Sequence, residues 1–313
     1  MSLTAAYSPE VGQARLNAPR HPTGPVTDPA LQHFGQLDCG GRSLDLGRPV
    51  VMGVLNVTPD SFSDGGHYAN RDNALRQGER LATEGADILD VGGESTRPGS
   101  SGVSVQEEVD RVAPVIEALA ARLALPISVD TSKPEVMRAA VTAGAGLIND
   151  VQALRRPGAL TTAAALAVPV CLMHMRGTPA SMQEAPVYAD PVAEVADFLR
   201  ERVRVCEGAG ILRQRLILDP GFGFGKTLAH NLALLAGLGR LAELGLPLLV
   251  GLSRKAMIGA LTGREVGDRL AGSLAAAVLA VERGAILIRV HDVAATRDVV
   301  KVAWALMQAS GKN

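Results

Sequence analysis

Along this chain, short apolar runs repeatedly end in a residue that can accept a hydrogen bond, donate one or hold a charge. Asn56 follows Val54-Leu55, Asp90 and then Glu94 follow Ile88-Leu89, and Asp130 follows Ser128-Val129. Asn149 and Asp150 follow Leu147-Ile148, His174 follows Leu172-Met173, and Asp219 follows Ile217-Leu218. Arg254 and Lys255 come after Gly251-Leu252-Ser253, and Arg289 and His291 close the last run. Carboxylates and amides can grip a ligand rich in N–H donors, while the cations can hold an anion. Any single Asp or Asn at such a place can equally cap the helix that follows. A whole succession of them exceeds what capping needs, so the set reads as one site.

Two polar loops and one glycine-rich segment accompany these residues. The first loop holds Thr58, Pro59, Asp60, Ser61, Phe62, Ser63 and Asp64; the second is Gly92-Gly93-Glu94-Ser95-Thr96-Arg97-Pro98-Gly99. Such loops either order over a ligand or are plain turns. The segment Asp219-Pro220-Gly221-Phe222-Gly223-Phe224-Gly225-Lys226 approaches a Walker loop, but Pro220 stands where that pattern needs its first glycine. Nucleoside triphosphate binding is therefore rejected. The glycines are expected to let the backbone pass close to a flat ligand, with Phe222 or Phe224 beside it. There is no HExxH, GxSxG or paired-cysteine metal motif. Among the histidines, His174 and His291 are site candidates, whereas His21, His33, His67 and His230 read as surface or loop residues.

The elements that must position this set are legible as an alternation. The apolar runs 50–55, 88–91, 127–129, 147–148, 168–173, 216–218, 248–252 and 286–288 are too uniformly apolar for half-exposed strands. They predict parallel strands buried on both faces. Between them, helical periodicity covers 73–84, 105–122, 135–143, 192–207, 228–244, 268–283 and 294–308, with a less periodic connection at 152–167. Pro134 suits a first helical turn, and Gly85, Gly144, Gly208 and Gly284 fall just past helix ends, where positive φ is expected. Eight such strands predict a (β/α)8 TIM barrel, whose strand ends all open on one face; a doubly wound open sheet is the rival.

Composition narrows the function classes. With 313 residues and a net charge of -1, the chain has no field to gather nucleic acid or an anionic membrane. No apolar stretch reaches the roughly 18–20 residues that span a bilayer. Cys39, Cys171 and Cys206 are scattered without metal-site spacing, which suits a reducing, cytoplasmic setting, with Cys171 a buried thiol. Residues 1–35, rich in Pro and Ala, read as a poorly ordered N-terminal extension before a single domain at 36–313.

These motifs together resemble the dihydropteroate synthases. The resemblance rests on the stretch from Met52-Gly53-Val54-Leu55-Asn56 to Gly66, on Asp90 to Gly99, and on Ser128-Val129-Asp130-Thr131. It continues through Ile148-Asn149-Asp150, Met173-His174-Met175, Asp219 to Lys226, Gly251 to Lys255 and Ile288-Arg289-Val290-His291-Asp292. The motifs fall in order and cover residue 36 to the end. The resemblance implies that the chain condenses 6-hydroxymethyl-7,8-dihydropterin pyrophosphate with 4-aminobenzoate, by a dissociative path. It implies a pterin site of Asp130, Asn149, Asp219, Lys255, Met173, Phe224 and Gly223, in which Asp219 accepts the paired ring donors. Pyrophosphate falls to Asn56, Thr96, Arg289 and His291, with Asn56 holding Mg2+. The aminobenzoate site falls to Phe62, Thr96, Arg97, Pro98, Lys255 and Ala256, and Asp60 or Asp64 steadies the cation. A homodimer is implied, with apolar faces at 270–281 and 294–307 available for it.

One departure stands out. The family often has serine after the lysine of the Ser253-Arg254-Lys255 motif, and this chain has Ala256, so backbone N–H groups are expected to hold the benzoate anion there. Two other readings compete. A pterin-dependent methyltransferase shares the barrel and the carboxylates but has no use for the Arg97 loop or for Lys255. A non-catalytic pterin-binding paralogue has no reason to keep Asn56, Arg97, Lys255 and His291.

Overall fold

The structure, a computed structural model, describes residues 34–58, 67–95, 102–177, 182 and 186–310. The first element is an antiparallel hairpin of β1 (Gln36–Cys39) and β2 (Arg42–Asp45). Then come β3 (Val50–Asn56), α1 (His67–Thr83), β4 (Ile88–Gly92), α2 (Val105–Arg122), β5 (Ile127–Asp130) and α3 (Pro134–Thr142). The middle of the chain forms β6 (Leu147–Asp150), α4 (Ala159–Leu166), β7 (Val170–Met173), α5 (Pro191–Gly208) and β8 (Leu216–Asp219). It ends with α6 (Leu228–Ala236), α7 (Leu238–Ala242), β9 (Leu248–Val250), α8 (Ala256–Thr262), α9 (Leu270–Glu282), β10 (Ala285–Val290) and α10 (Val293–Ala309).

β3 to β10 pair in parallel and close on themselves in the order β10-β3-β4-β5-β6-β7-β8-β9. Closure excludes the open sheet and establishes the (β/α)8 barrel. Each strand is buried on both faces, as its uniform apolarity requires. Outward strand residues such as Val51, Leu89 and Val129 pack with the helices' apolar stripes, Val112, Ile116 and Leu119 of α2 among them.

The hairpin closes the end of the barrel opposite the polar strand ends. Leu37, Cys39, Leu44 and Leu46 form one apolar cluster with the inward residues Val50, Met52, Ile88, Leu147, Cys171, Ile217 and Leu249. Sequence periodicity did not anticipate this hairpin. Its signal was there in the Gly40-Gly41 pair, whose φ values of 65 and 86 make the tight turn between two alternating strands.

Other departures have local causes. The helix expected over 228–244 breaks at Gly237 into α6 and α7. Gly208 lies inside α5 rather than past it, and Gly210, at φ 88, makes the turn. Pro134 does stand in the first turn of α3, and Gly85, Gly144 and Gly284 have positive φ.

Candidate active site

Because parallel strands all present their C-terminal ends to one face, the polar residues at those ends converge. Asp130, Asn149, Met173, Asp219, Phe224, Lys255 and Arg289 line one slot together with Val151, Gly221, Phe222 and Gly251. Asp219 is 5% exposed and Asn149 3%, so neither faces bulk water. Val151, Met173, Met175, Met182 and Phe224 form an apolar cluster on one side of the slot. Flat apolar walls with a few converging polar groups suit a planar heterocycle.

The slot's charges are set by burial. It pushes the Asp219 carboxyl up to about 6, against the opposing Gly221 N–H and Lys255 ammonium. Gly221 N–H donates to Asp219 Oδ1 at 2.7 Å. Burial likewise raises Asp130, with Arg289 opposing it and Asp90 adding to it. Lys255 comes down to about 8, first by burial and then by Arg289; its Nζ lies 4.3 Å over the Phe224 ring. Burial alone would lower Arg289, but the carboxylates of Asp90 and Asp130 hold it above its ordinary value. Arg289 Nε donates to Asp90 Oδ2 at 2.6 Å and Nη2 to Asp130 Oδ2 at 2.8 Å.

Asn56 and His291 line a second, larger cavity beside Arg254, Arg80, Leu270 and Asp292. Arg289, two positions before His291, belongs to the slot's lining and thus stands at the border of the two spaces. Burial, then Arg289 and Arg254, lower His291 to about 4, so its imidazole is neutral at pH 7. Ser253 Oγ accepts the His291 backbone N–H at 3.2 Å and lies 3.0 Å from Nδ1. The Ser253 hydroxyl thus ties the His291 backbone and its ring together. Arg254 chelates Asp292 and holds a left-handed φ of 58. That strain is held by Ser273 Oγ on its N–H and by Arg269 on its carbonyl.

The structure separates some of the sequence candidates from the slot. His174 is buried; its Nδ1 is 2.9 Å from Lys226 Nζ and its ring packs edge-on against Phe198. Gly223 does not line the slot, but a Cβ there would stand 3.4 Å from Lys255 Cδ. Gly221, which lines the slot, and Gly225 also make room for protein. A Cβ on Gly221 would sit 1.9 Å from His174 O, and one on Gly225 2.5 Å from Arg176 O. Ala256 is exposed at the start of α8, next to Lys255. Asp60, Phe62, Asp64, Thr96, Arg97 and Pro98 lie outside the described residues.

Three buried groups outside the slot's lining make contacts that the sequence pattern did not foresee. Lys226 Nζ donates to the Gly221 and Phe224 carbonyls at 2.9 and 3.1 Å, bracing the turn that carries both phenylalanines. Lys133 Nζ reaches Glu94 Oε2, Glu108 Oε2 and the Val103 carbonyl, tying the two ends of the second loop to α2. Asp90 gathers Asn149 and Arg289. The legible signal for Asp90 was a carboxylate inside an otherwise apolar, doubly buried strand.

Among the described residues no three His, Cys, Asp or Glu side chains cluster as a metal cage. Asn56 nevertheless offers a hard amide oxygen at the rim of the larger cavity. That suits Mg2+, which takes few protein ligands and completes its shell with phosphate and water.

Known proteins match this arrangement. A family model described as pterin binding enzyme matches residues 52–291. The dihydropteroate synthase of Escherichia coli (strain K12) is 55% identical over 269 residues, 86% of this chain and 95% of that protein. A Xanthomonas albilineans dihydropteroate synthase solved with 4-aminobenzoic acid is 62% identical, with a TM-score of 0.84 over 88% of this chain and 99% of that one. The same enzyme solved with 7,8-dihydropteroate is matched at 60% identity and a TM-score of 0.80, over 88% and 99% of the two chains. By sequence and by fold, this chain belongs to the pterin-binding enzymes, within the dihydropteroate synthase family.

Proposed function

We propose that the chain acts as a dihydropteroate synthase, joining the pterin of 6-hydroxymethyl-7,8-dihydropterin pyrophosphate to 4-aminobenzoate with release of pyrophosphate. The observation that carries this reading is one buried slot lined by Asp219, Asn149, Asp130 and Lys255, beside a cavity with Asn56 and His291. A pterin carries an amino group and a ring N–H side by side. Asp219 accepts both, which is what makes its buried charge tolerable. Asn149 and Asp130 meet the remaining ring nitrogens, and Lys255 leaves the Phe224 face to donate to the ring oxygen and N5.

The diphosphate lies in the cavity, where the His291 ring and the Arg289 guanidinium donate to it and Asn56 would hold Mg2+. The ion, when bound, neutralises charge on the leaving diphosphate. The methylene C–O bond breaks with its electron pair going to the departing oxygen. The cation that remains is delocalised into the pterin ring. The aminobenzoate nitrogen then bonds the methylene carbon and loses a proton. Loop residues Asp60, Phe62, Thr96, Arg97 and Pro98, with Ala256, hold the aminobenzoate and shield the cation. We further place the chain in the cytoplasm as a homodimer. Three buried free thiols fit the first, and exposed Leu279, Val302 and Leu306 on α9 and α10 fit the second.

The test mixes the protein with dihydropterin pyrophosphate, 4-aminobenzoate and Mg2+ and follows both pyrophosphate and dihydropteroate. Equal appearance of the two products is expected. Tight pterin binding without turnover would make it a binding protein, and methyl transfer from a methylated folate would make it the other class of enzyme.

A further inference from the structure

Asp90 is fully buried and does not line the slot, yet two of the slot's polar walls hang from it. Its Oδ2 accepts from Asn149 Nδ2 at 3.0 Å and from Arg289 Nε at 2.6 Å. An oxygen that takes two donors carries no proton of its own. The Asn149 amide therefore has one permitted orientation. A flipped amide would set its Oδ1 against the Oδ2 of Asp90, two buried acceptors with no hydrogen between them. Asn149 Oδ1 and the second amide hydrogen are left for the ligand.

The same carboxylate indexes the cation. With Nε on Asp90, the planar guanidinium of Arg289 is turned so that Nη2 meets Asp130 Oδ2, at 2.8 Å. Asp90 thus sets Asn149 and Arg289 directly and Asp130 through Arg289. Among the described residues its Oδ1 is buried with no partner, as is the Oγ of Ser128, the residue in register with it on β5. A buried acceptor left unpaired lowers stability, so this carboxylate is poorly placed as a staple for the fold and well placed as a jig for the slot.

We propose that Asp90 is a positioning residue for pterin recognition, fixing which edge of the Asn149 amide and which side of the Arg289 guanidinium meet the ring. The proposal rests on the pterin reading above. Its test is a double-mutant cycle of Asp90→Asn with Asn149→Ala, read by calorimetry with bare 6-hydroxymethyl-7,8-dihydropterin and by steady-state kinetics. Asp90→Asn is expected to weaken bare pterin by about tenfold or more while the KM for 4-aminobenzoate moves by less than about twofold. In the Asn149→Ala background the same change is expected to cost at least about threefold less than in wild type, because one of the two groups that Asp90 holds directly is gone.

Wild-type affinity in Asp90→Asn, or an equal loss in both backgrounds, overturns the proposal. Failure of the wild-type chain to bind the pterin at all would sink the functional reading instead, so the two failures are distinguishable. Should Asp90→Asn not fold, Asp90→Ser, which leaves room for a water between the two donors, goes through the same cycle and is held to the same outcomes.

Discussion

One carboxylate, Asp87, stands just before β4 and another, Asp90, at its middle, and the two are used in opposite ways. Asp87, on the hairpin side, has both oxygens matched: Oδ1 takes Arg48 at 2.7 Å, and Oδ2 takes the Val51 N–H at 2.8 Å and Arg297 at 2.5 Å. Asp90, on the open side, crowds two donors onto Oδ2 and leaves Oδ1 with no partner among the described residues. The difference extends to whole faces. At the closed end, Leu37, Cys39, Leu44 and Leu46 seal an apolar interior. At the open end, Asp219, Asp130, Lys255, His291 and Lys226 all titrate away from their ordinary values because burial penalises their charges. A saturated ion set tells of stability, whereas a set held at the cost of an unpaired buried oxygen and several buried charges tells of a site.

The sharpest way to break this comparison is to remove one carboxylate from each face. Asp219→Ala leaves two ring donors unmatched, at about 1–3 kcal/mol each, so pterin affinity should fall by at least about thirtyfold. Its melting temperature should hold or rise. With a folded pKa of about 6, above its ordinary value, the ionised Asp219 destabilises the ligand-free fold at pH 7, and truncation removes that burden. A large drop in melting temperature with pterin binding intact would reverse the assignment of roles. Asp87→Ala should do the opposite. Arg48 and Arg297 are partly exposed, so the loss is discounted to about 2 kcal/mol, or about 4–8 °C in melting temperature. Calorimetric melting and kcat/KM measured well below the transition check it, the latter staying within about twofold of wild type.

A smaller effect sharpens the division within the open face. Asn56→Ala should weaken dihydropterin pyrophosphate in the presence of Mg2+ by about 10–100-fold, the worth of one or two polar contacts. Bare pterin should bind within about twofold of wild type, since Asn56 lines the cavity and not the slot. Isothermal titration with the two ligands decides it. Equal losses for both would merge the two spaces into one site.

Much of this was legible before any coordinates. Buried parallel strands announce themselves as short uniform apolar runs, and the residues just past them had to share a face once the barrel closed. That is why Asp130, Asn149, Asp219, Lys255 and Arg289, scattered over 160 positions, could be gathered in advance. What periodicity could not give is which way a side chain turns. His174 follows a strand as Asp219 does, yet it packs on Phe198 and Lys226. The glycines of 221–225 were expected to spare room for a ligand; two of them spare it for the carbonyls of His174 and Arg176. Asp90 was visible as a strand-end acid, but its partners lie 59 and 199 positions away, beyond the reach of any local pattern.

The last test is a titration, and it separates the slot's two charged walls. In the ligand-free protein burial sets Asp219 at about 6 and Lys255 at about 8. Below pH 6 Asp219 is protonated and can no longer accept both ring donors, so binding must first release a proton. Above pH 8 Lys255 is neutral and loses its charge-assisted bond. Because kcat/KM reports the free enzyme, its value for dihydropterin pyrophosphate should peak between these values. It should then fall by up to about tenfold per pH unit on either side. Lys255→Arg should move the alkaline limb upward and leave the acid limb in place, since guanidinium keeps its proton throughout this range. An acid limb that shifted with Lys255→Arg would mean that the two groups titrate as one unit, and that Asp219 does not face the ring alone.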